Sequence, residues 1–273
     1  MLMPHDQAQE PRAGESATEP EQYLFPMSFG QRRLWFLSQL EPESASYNTA
    51  IAVRMKGALD SHILLDCFNR LVEHHEILRT TFATDKGEPV QIIAATGQVT
   101  LETGIVENRA EAVLQAARHE AQRPFDLQRG PLLRLRLFDI ADEDHLLVIT
   151  LHHIVCDGWS AQILARDFAR LYAQAIAGLD AALPALPIQY ADYAEWQRGW
   201  LQGEVLNRQL AYWKRQLTGE LPVLELPSDR PRGAVQTSSG SRYVFTLPQP
   251  VAVALRDISR RHNVTLFMTL LAA

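Results

Sequence analysis

The stretch LHHIVCDGWS occupies residues 151–160 and directly follows the apolar run LLVI at residues 146–149. The apolar run predicts a buried strand, and the glycine that follows Asp157 predicts a turn into a helix. Side chains alternate across a strand, so one of the adjacent His152 and His153 can face a cavity while the other is held in the structure. An imidazole at a strand end, supported by a nearby carboxylate, is a candidate general base. On the residues alone, a purely structural histidine pair has comparable weight.

The composition limits the classes of protein to consider. The chain has 273 residues, of which 47% are hydrophobic, with a net charge of -6 and a pI near 5.9. A chain of this size exceeds one typical domain, so we expect more than one structural unit. The acidic balance argues against a nucleic-acid partner. Without a run of about 18 apolar residues, no membrane span is predicted either.

Cysteine usage and the first residues bear on the compartment. The two cysteines, Cys67 and Cys156, are far apart and form no metal-type pair, which favours a reducing compartment and a cytoplasmic location. Residues 1–22 are rich in Pro, Glu and Gln and lack the charged head and apolar stretch of a secretory signal. They are therefore predicted to be a disordered tail.

Apolar periodicity predicts an alternation of helices and strands. Residues 28–31 have the form of a capping box, and Asp60 caps a second helix whose apolar face holds Cys67. A turn at residues 85–87 joins two strands into a hairpin. The other predicted strands are at 47–55, 99–105, 133–137 and 242–247, and the strand at 133–137 is antiparallel to the strand ending at the histidines. The other predicted helices are at 110–121, 159–176 and 251–262, with further helices from 190, 206 and 265. Asp157 or Ser160 caps the helix at 159–176.

The chain ends with LFMTLLAA at residues 266–273, a strongly apolar helix without a C-terminal cap. Such an end would expose an apolar patch with no partner. We therefore expect a fragment, or a chain that depends on a further segment to cover that face.

Several side chains in the opening stretch allow more than one chemistry. His152, His153 and Asp157 include metal-ligand types, but adjacent strand histidines diverge, and no metal site is predicted. Cys156 could be a nucleophile, yet nothing marks its thiol as activated, so we interpret it as a small turn residue. Asp157 is either an orienter of the base or half of an internal ion pair, for which Arg79 is a candidate partner.

Four segments in order resemble successive core motifs of the condensation domains of nonribosomal peptide synthetases. They are residues 28–37 (SFGQRRLWFL), 75–82 (HEILRTTF), 152–160 (HHIVCDGWS) and 190–196 (YADYAEW). The stretches PFDL at 124–127 and DRPR at 229–232 are also similar to the family. Four motifs in the right order make the match highly specific.

The resemblance implies an α/β fold of the α+β type, the chloramphenicol-acetyltransferase-like mixed sheet with flanking helices, used twice in a full condensation domain. The active site of the family lies between the two halves. The expected organisation is a tail at 1–22, the N-terminal half at 23–180, connecting helices and linker at 181–240, and the start of a truncated C-terminal half at 241–273.

The family forms an amide from two acyl groups carried as thioesters on phosphopantetheine arms. The resemblance therefore implies upstream and downstream carrier domains and an adjacent adenylation domain as partners, with aminoacyl and peptidyl substrates. No cofactor is expected to be bound by this chain itself, because the arms belong to the carrier domains.

The resemblance also assigns roles within the HHIVCDGWS motif. It implies that His153 faces the tunnel where the arms meet, as the base or as a residue that positions the amine and stabilises the tetrahedral intermediate. His152 would support the geometry from the opposite face. The other implied assignments are an ion pair between Asp157 and Arg79, a turn and close backbone approach at Gly158, and substrate contacts by Trp159 and Ser160.

The chain departs from the family pattern at two positions. His74 occupies a position where the family usually has Arg, and Cys156 replaces a common Ser. The run of His74, His75 and Glu76 at a helix end is otherwise interpreted as a solvated terminus. The alternatives to an amide-forming enzyme are a non-catalytic truncated fragment, a carrier-docking scaffold, or an epimerisation-type relative.

Overall fold

The computed structural model describes residues 21–224, 227–230, 240 and 243–273. These fall into two compact units, one extending to Pro222 and the other from Val223 to Ala273. The first unit contains seven strands and six helices among its described residues: β1 (Gln22–Pro26), α1 (Phe29–Leu40), β2 (Asn48–Lys56), α2 (Ser61–His74), β3 (Thr80–Asp85), β4 (Glu88–Ala94), β5 (Leu101–Ile105), α3 (Ala110–Gln122), β6 (Leu133–Ala141), β7 (Asp144–His152), α4 (Gly158–Ile176), α5 (Tyr190–Trp200) and α6 (Gly203–Gln216).

The strands of the first unit form two sheets. The four-stranded sheet has the order β2-β7-β6-β5, in which β7 is a central strand, antiparallel to both neighbours. A short acidic turn joins β6 to β7, and the two strands pair antiparallel, as predicted. The three-stranded sheet has the order β1-β4-β3 and contains the predicted hairpin. Because β7 is a central strand, its last residue, His152, lies inside the sheet, and His153 follows directly after the strand.

Helix α2 packs against α4 and closes one side of the core. The ring of Phe68 on α2 lies 4.6 Å from that of Phe168 on α4, measured between centroids. Cys67 is fully buried on the same face of α2, as its apolar spacing predicts. The capping box predicted at the start of α1 is present, with Ser28 and Gln31 bonded reciprocally. The start of α1 is thus set by a short-range pattern in the sequence.

The second unit contains α7 (Gln249–Arg261) and α8 (Leu266–Ala272), which agree with the predicted helices. The strand predicted at 242–247 is wrong for residues 243–247, which have no regular structure, and residue 242 lies outside the described residues. No strand among the described residues pairs with this segment, and a strand needs a partner for its backbone hydrogen bonds.

Two predicted boundaries differ from the structure. Gln22, assigned to the tail, begins β1, while residues 1–20 lie outside the described residues. Helices α5 and α6, assigned to a connecting segment at 181–240, belong to the first unit, whose limit is Pro222. Among the described residues, no helix combines the length and the apolar character that a membrane crossing requires.

Candidate functional site

His152 is the last residue of β7 and is buried, with 5% of its surface exposed. Its Nδ1 accepts a hydrogen bond of 3.1 Å from the backbone N–H of Ile154, and the rings of Phe125 and Tyr47 flank it. Burial, and secondarily the neighbouring His153, lower the pKa of His152 to about 4. The ring is therefore neutral at pH 7 and holds the turn that follows the strand.

His153 has the opposite environment. Its backbone N–H donates to the carbonyl of Tyr47 at 2.8 Å, which ties the turn to the residue before β2, and its side chain is exposed. That side chain lines a cavity of about 860 Å³ with largely apolar walls. The prediction that the two histidines face opposite sides is confirmed, and His153 is the one that reaches open space.

Asp157 caps α4. Its Oδ1 accepts hydrogen bonds from the backbone N–H of Ser160 at 2.8 Å and from the Ser160 hydroxyl at 2.6 Å. These two bonds to Ser160 are the main cause that lowers the pKa of the Asp157 carboxyl. The N-terminal dipole of α4 also favours a negative charge at this position. Of the two predicted caps, the structure uses Asp157.

The predicted ion pair between Arg79 and Asp157 is wrong. The Arg79 guanidinium donates to three backbone carbonyls, those of Val72, Glu73 and Ala94, at 3.1, 2.6 and 2.8 Å. Its remaining contact is an ion pair with Glu76 at 3.2 Å. The carbonyls at the end of α2 have no partner within the helix, and the arginine donates to them. Its guanidinium is therefore already engaged and is not directed toward Asp157.

The chain turns into α4 at Gly158 as expected, but nothing in the backbone of this chain requires a glycine for that turn. Gly158 is the first residue of α4, and a Cβ built on it would meet no atom within 4 Å. Its φ lies outside the left-handed region, so its backbone conformation is open to any residue. Within this chain, neither the turn nor a close backbone approach requires a glycine there.

The other residues of the motif border the same cavity. Trp159 and Ser160 both line it, and the Trp159 side chain is 76% exposed. Cys156 lines it as well, but burial raises the pKa of its thiol to about 11, so the thiol stays protonated at neutral pH. Its Sγ lies 3.5 Å from the Asp157 carbonyl oxygen.

Tyr190 and His75 are among the cavity residues that were not assigned to the site from the sequence. Tyr190 at the start of α5 lines the cavity, and its hydroxyl is 3.0 Å from the Ser28 hydroxyl. His75 also lines it and is only 12% exposed, so the interpretation of its segment as a solvated helix end is wrong for this residue. Its Nε2 is 3.1 Å from Oδ2 of Asp167 on α4. The YADYAEW and HEILRTTF motifs were the signals that could have placed both.

The family model of the Condensation domain matches residues 21–273. The chain belongs to the condensation domain family. It is 46% identical over 259 residues to a component protein of the linear gramicidin synthase of Brevibacillus parabrevis, covering 93% of this chain and 3% of that protein. It is also 46% identical over 251 residues to the phosphinothricin tripeptide synthetase PhsC of Streptomyces viridochromogenes, covering 90% of this chain and 23% of that one.

Solved condensation-type structures have the same fold. The X-domain solved in complex with OxyB from teicoplanin biosynthesis aligns with a TM-score of 0.70 at 31% identity, covering 84% of this chain and 50% of that one. The four-domain nonribosomal peptide synthetase AB3403 aligns with a TM-score of 0.76 at 23% identity, covering 93% of this chain and 19% of that one. The expected chloramphenicol-acetyltransferase-like fold is thereby confirmed. This condensation domain chain spans about half the length of the X-domain chain.

Proposed function

We propose that this chain supplies one wall of an amide-forming condensation site. In the proposed reaction the amine of a downstream aminoacyl thioester attacks the carbonyl of an upstream acyl or peptidyl thioester. A C–N bond forms, the C–S bond breaks, and the proton lost by the amine goes to the departing thiolate. The observation that carries this proposal is the cavity position of His153, the one member of the histidine pair whose side chain reaches open space.

His153 is the group proposed to act on the attacking amine. Its backbone is held by the carbonyl of Tyr47, and the turn behind it is held by the buried His152. A ring mounted on a rigid strand end keeps its nitrogen in one place relative to the substrate. From there it either accepts the amine proton or holds the amine by a hydrogen bond while the tetrahedral intermediate forms.

The cavity walls suit acyl chains brought on flexible arms. Apolar side chains from α1, α4 and the segment before α5 line the space around His153, including those of Leu34, Ile163 and Ile188. Apolar walls exclude water, which would otherwise compete with the amine for the thioester. The proposed partners are upstream and downstream carrier domains, whose phosphopantetheine arms deliver the thioesters, and an adjacent adenylation domain. A cytoplasmic location stays a prediction.

The test uses the complete gene product with both carrier domains loaded. The wild type is compared with His153→Ala, His153→Gln and the control His62→Ala, an exposed histidine at the start of α2 outside this cavity. Amide formation lost in both His153 variants indicates proton transfer. Activity kept in His153→Gln and lost in His153→Ala indicates positioning, because glutamine can accept a hydrogen bond but cannot take up the proton. Equal yields in all four proteins would refute the role of His153.

The second candidate function is a non-catalytic docking scaffold. It is favoured by the X-domain, which has this fold and was solved in complex with another protein, OxyB. A scaffold would bind its partner equally well with or without the His153 imidazole and would form no amide in the assay above. The same four proteins therefore distinguish the two candidates.

A further inference from the structure

A second polar cluster lies where α2 meets α4, and its residues lie outside the HHIVCDGWS motif in sequence. His74 is the last residue of α2, His75 follows as its C-terminal cap, and Asp167 projects from α4. One ligand-type atom of each residue lies within 4.8 Å of the others. The sequence predicted no metal site, because the histidine pair at 152 and 153 diverges. The pair at 74 and 75 instead converges, with ring centroids 4.8 Å apart.

The donor set matches the chemistry of a first-row divalent metal. Two imidazole nitrogens and one carboxylate oxygen are the ligands of three-residue zinc sites, which leave a fourth position open. Two ligands bound to one zinc ion at its usual bond lengths are about 3.3 Å apart. The distance from His75 Nε2 to Asp167 Oδ2 is 3.1 Å, so these two atoms already have that spacing.

The surroundings of Asp167 leave one of its oxygens available. Its Oδ1 accepts a hydrogen bond of 2.9 Å from Arg166, whereas Oδ2 faces His75. An outer partner of this kind orients a ligating carboxylate. The Asp167 side chain is 9% exposed and that of His75 is 12% exposed, so bulk water competes little for the ligand atoms. His74 is half-buried and completes the set from the last position of α2.

We propose that His74, His75 and Asp167 form a binding site for a divalent transition metal of the zinc class. Binding replaces the hydrogen bond between His75 and Asp167 by two bonds to one ion and joins the end of α2 to α4. His75 lines the same cavity as His153, so the ion lies in the wall of that cavity. The proposal does not depend on the condensation reaction, and binding stabilises the packing of α2 on α4.

The test is calorimetric titration of the metal-free full chain with ZnCl2, repeated on His74→Gln and Asp167→Asn. The matched control is His62→Gln, which replaces an exposed histidine at the other end of α2. We expect one zinc ion per chain and a rise in Tm on its addition. Because loss of even an outer-shell partner weakens metal sites at least about tenfold, loss of a ligand should raise Kd by more than that. His62→Gln should leave Kd unchanged.

Two results would overturn the proposal. One is the absence of a stoichiometric site in the wild type. The other is equal zinc affinity in all four proteins, which would indicate scattered surface binding by histidines and carboxylates. Circular dichroism of each variant checks the fold. Asp167→Asn decides the case if His74→Gln does not fold, since each variant removes one ligand from a different helix.

Discussion

The separate roles of Asp157 and Arg79 can be tested by a double-mutant cycle. Asp157→Ala removes the acceptor of the Ser160 N–H at the first turn of α4, and the loss of such a cap costs about 1 kcal/mol. Loss of the negative charge at the helix N-terminus adds about 0.5 kcal/mol. We therefore expect the free energy of unfolding to fall by about 1.5 kcal/mol. Asp157→Asn keeps the cap and should lose only about 0.5 kcal/mol.

Arg79→Gln should be more destabilising. It leaves the carbonyls of Val72, Glu73 and Ala94 without their charged donor, and the arginine side chain is only 11% exposed. Because a buried acceptor left unpaired costs about 1 to 3 kcal/mol, we expect a total loss of about 3 kcal/mol. The two residues share no partner, so their effects should add to within about 0.5 kcal/mol.

Urea unfolding followed by circular dichroism, on the two single variants and the double variant, gives the coupling energy. A coupling energy above about 1 kcal/mol would show a direct Arg79 to Asp157 interaction and refute the assignment of the two roles. The pH dependence adds a check. The folded-state pKa of Asp157 is lowered, so its contribution is present above the unfolded pKa and is lost as pH falls through the folded value. The difference between wild type and Asp157→Ala should therefore shrink below about pH 4.

Three further predictions concern packing, a buried carboxylate and the thiols. Gly97→Ala should lower the free energy of unfolding in urea by about 2 kcal/mol, because the added Cβ would lie 2.6 Å from Cβ of Arg79. The control Gly158→Ala should leave the free energy of unfolding unchanged, because its added Cβ would meet no atom within 4 Å. Glu120→Gln should lower the free energy of unfolding by about 2 kcal/mol in the same assay, because this carboxylate is only 2% exposed and pairs with two arginines that are about one-third exposed. An unchanged free energy of unfolding would show that these ion pairs do not stabilise the fold. The two buried cysteines, whose pKa values are raised by burial, should react with a thiol reagent only after denaturation; fast reaction of the folded chain would contradict this.

The features that were predicted correctly depend on neighbours in sequence. The capping box of α1, the hairpin of β3 and β4, and the divergence of His152 and His153 follow from local periodicity and turn chemistry. Their partners lie a few residues away, or the direction of a side chain follows from the strand itself. Such features can be inferred from a single sequence.

The features that were missed depend on residues distant in sequence. Arg79 could reach either Asp157 or the carbonyls at the end of α2, and only the folded position of β4, which brings the Ala94 carbonyl close, decides between them. The burial of His75 depends on Asp167, which is 92 residues away along the chain. Strand β1 is short and gains its structure by pairing with β4. Long-range pairing of this kind leaves no local pattern.

The single-turnover rate of amide formation between loaded carrier domains tests the role of His153 most directly. It is measured in the complete gene product for the wild type and His153→Ala, alongside the free energy of unfolding of both proteins. We predict a rate lower by about 100-fold or more, the usual contribution of a positioned general base, with unchanged stability because the His153 side chain is exposed. An unchanged rate in His153→Ala would contradict the account.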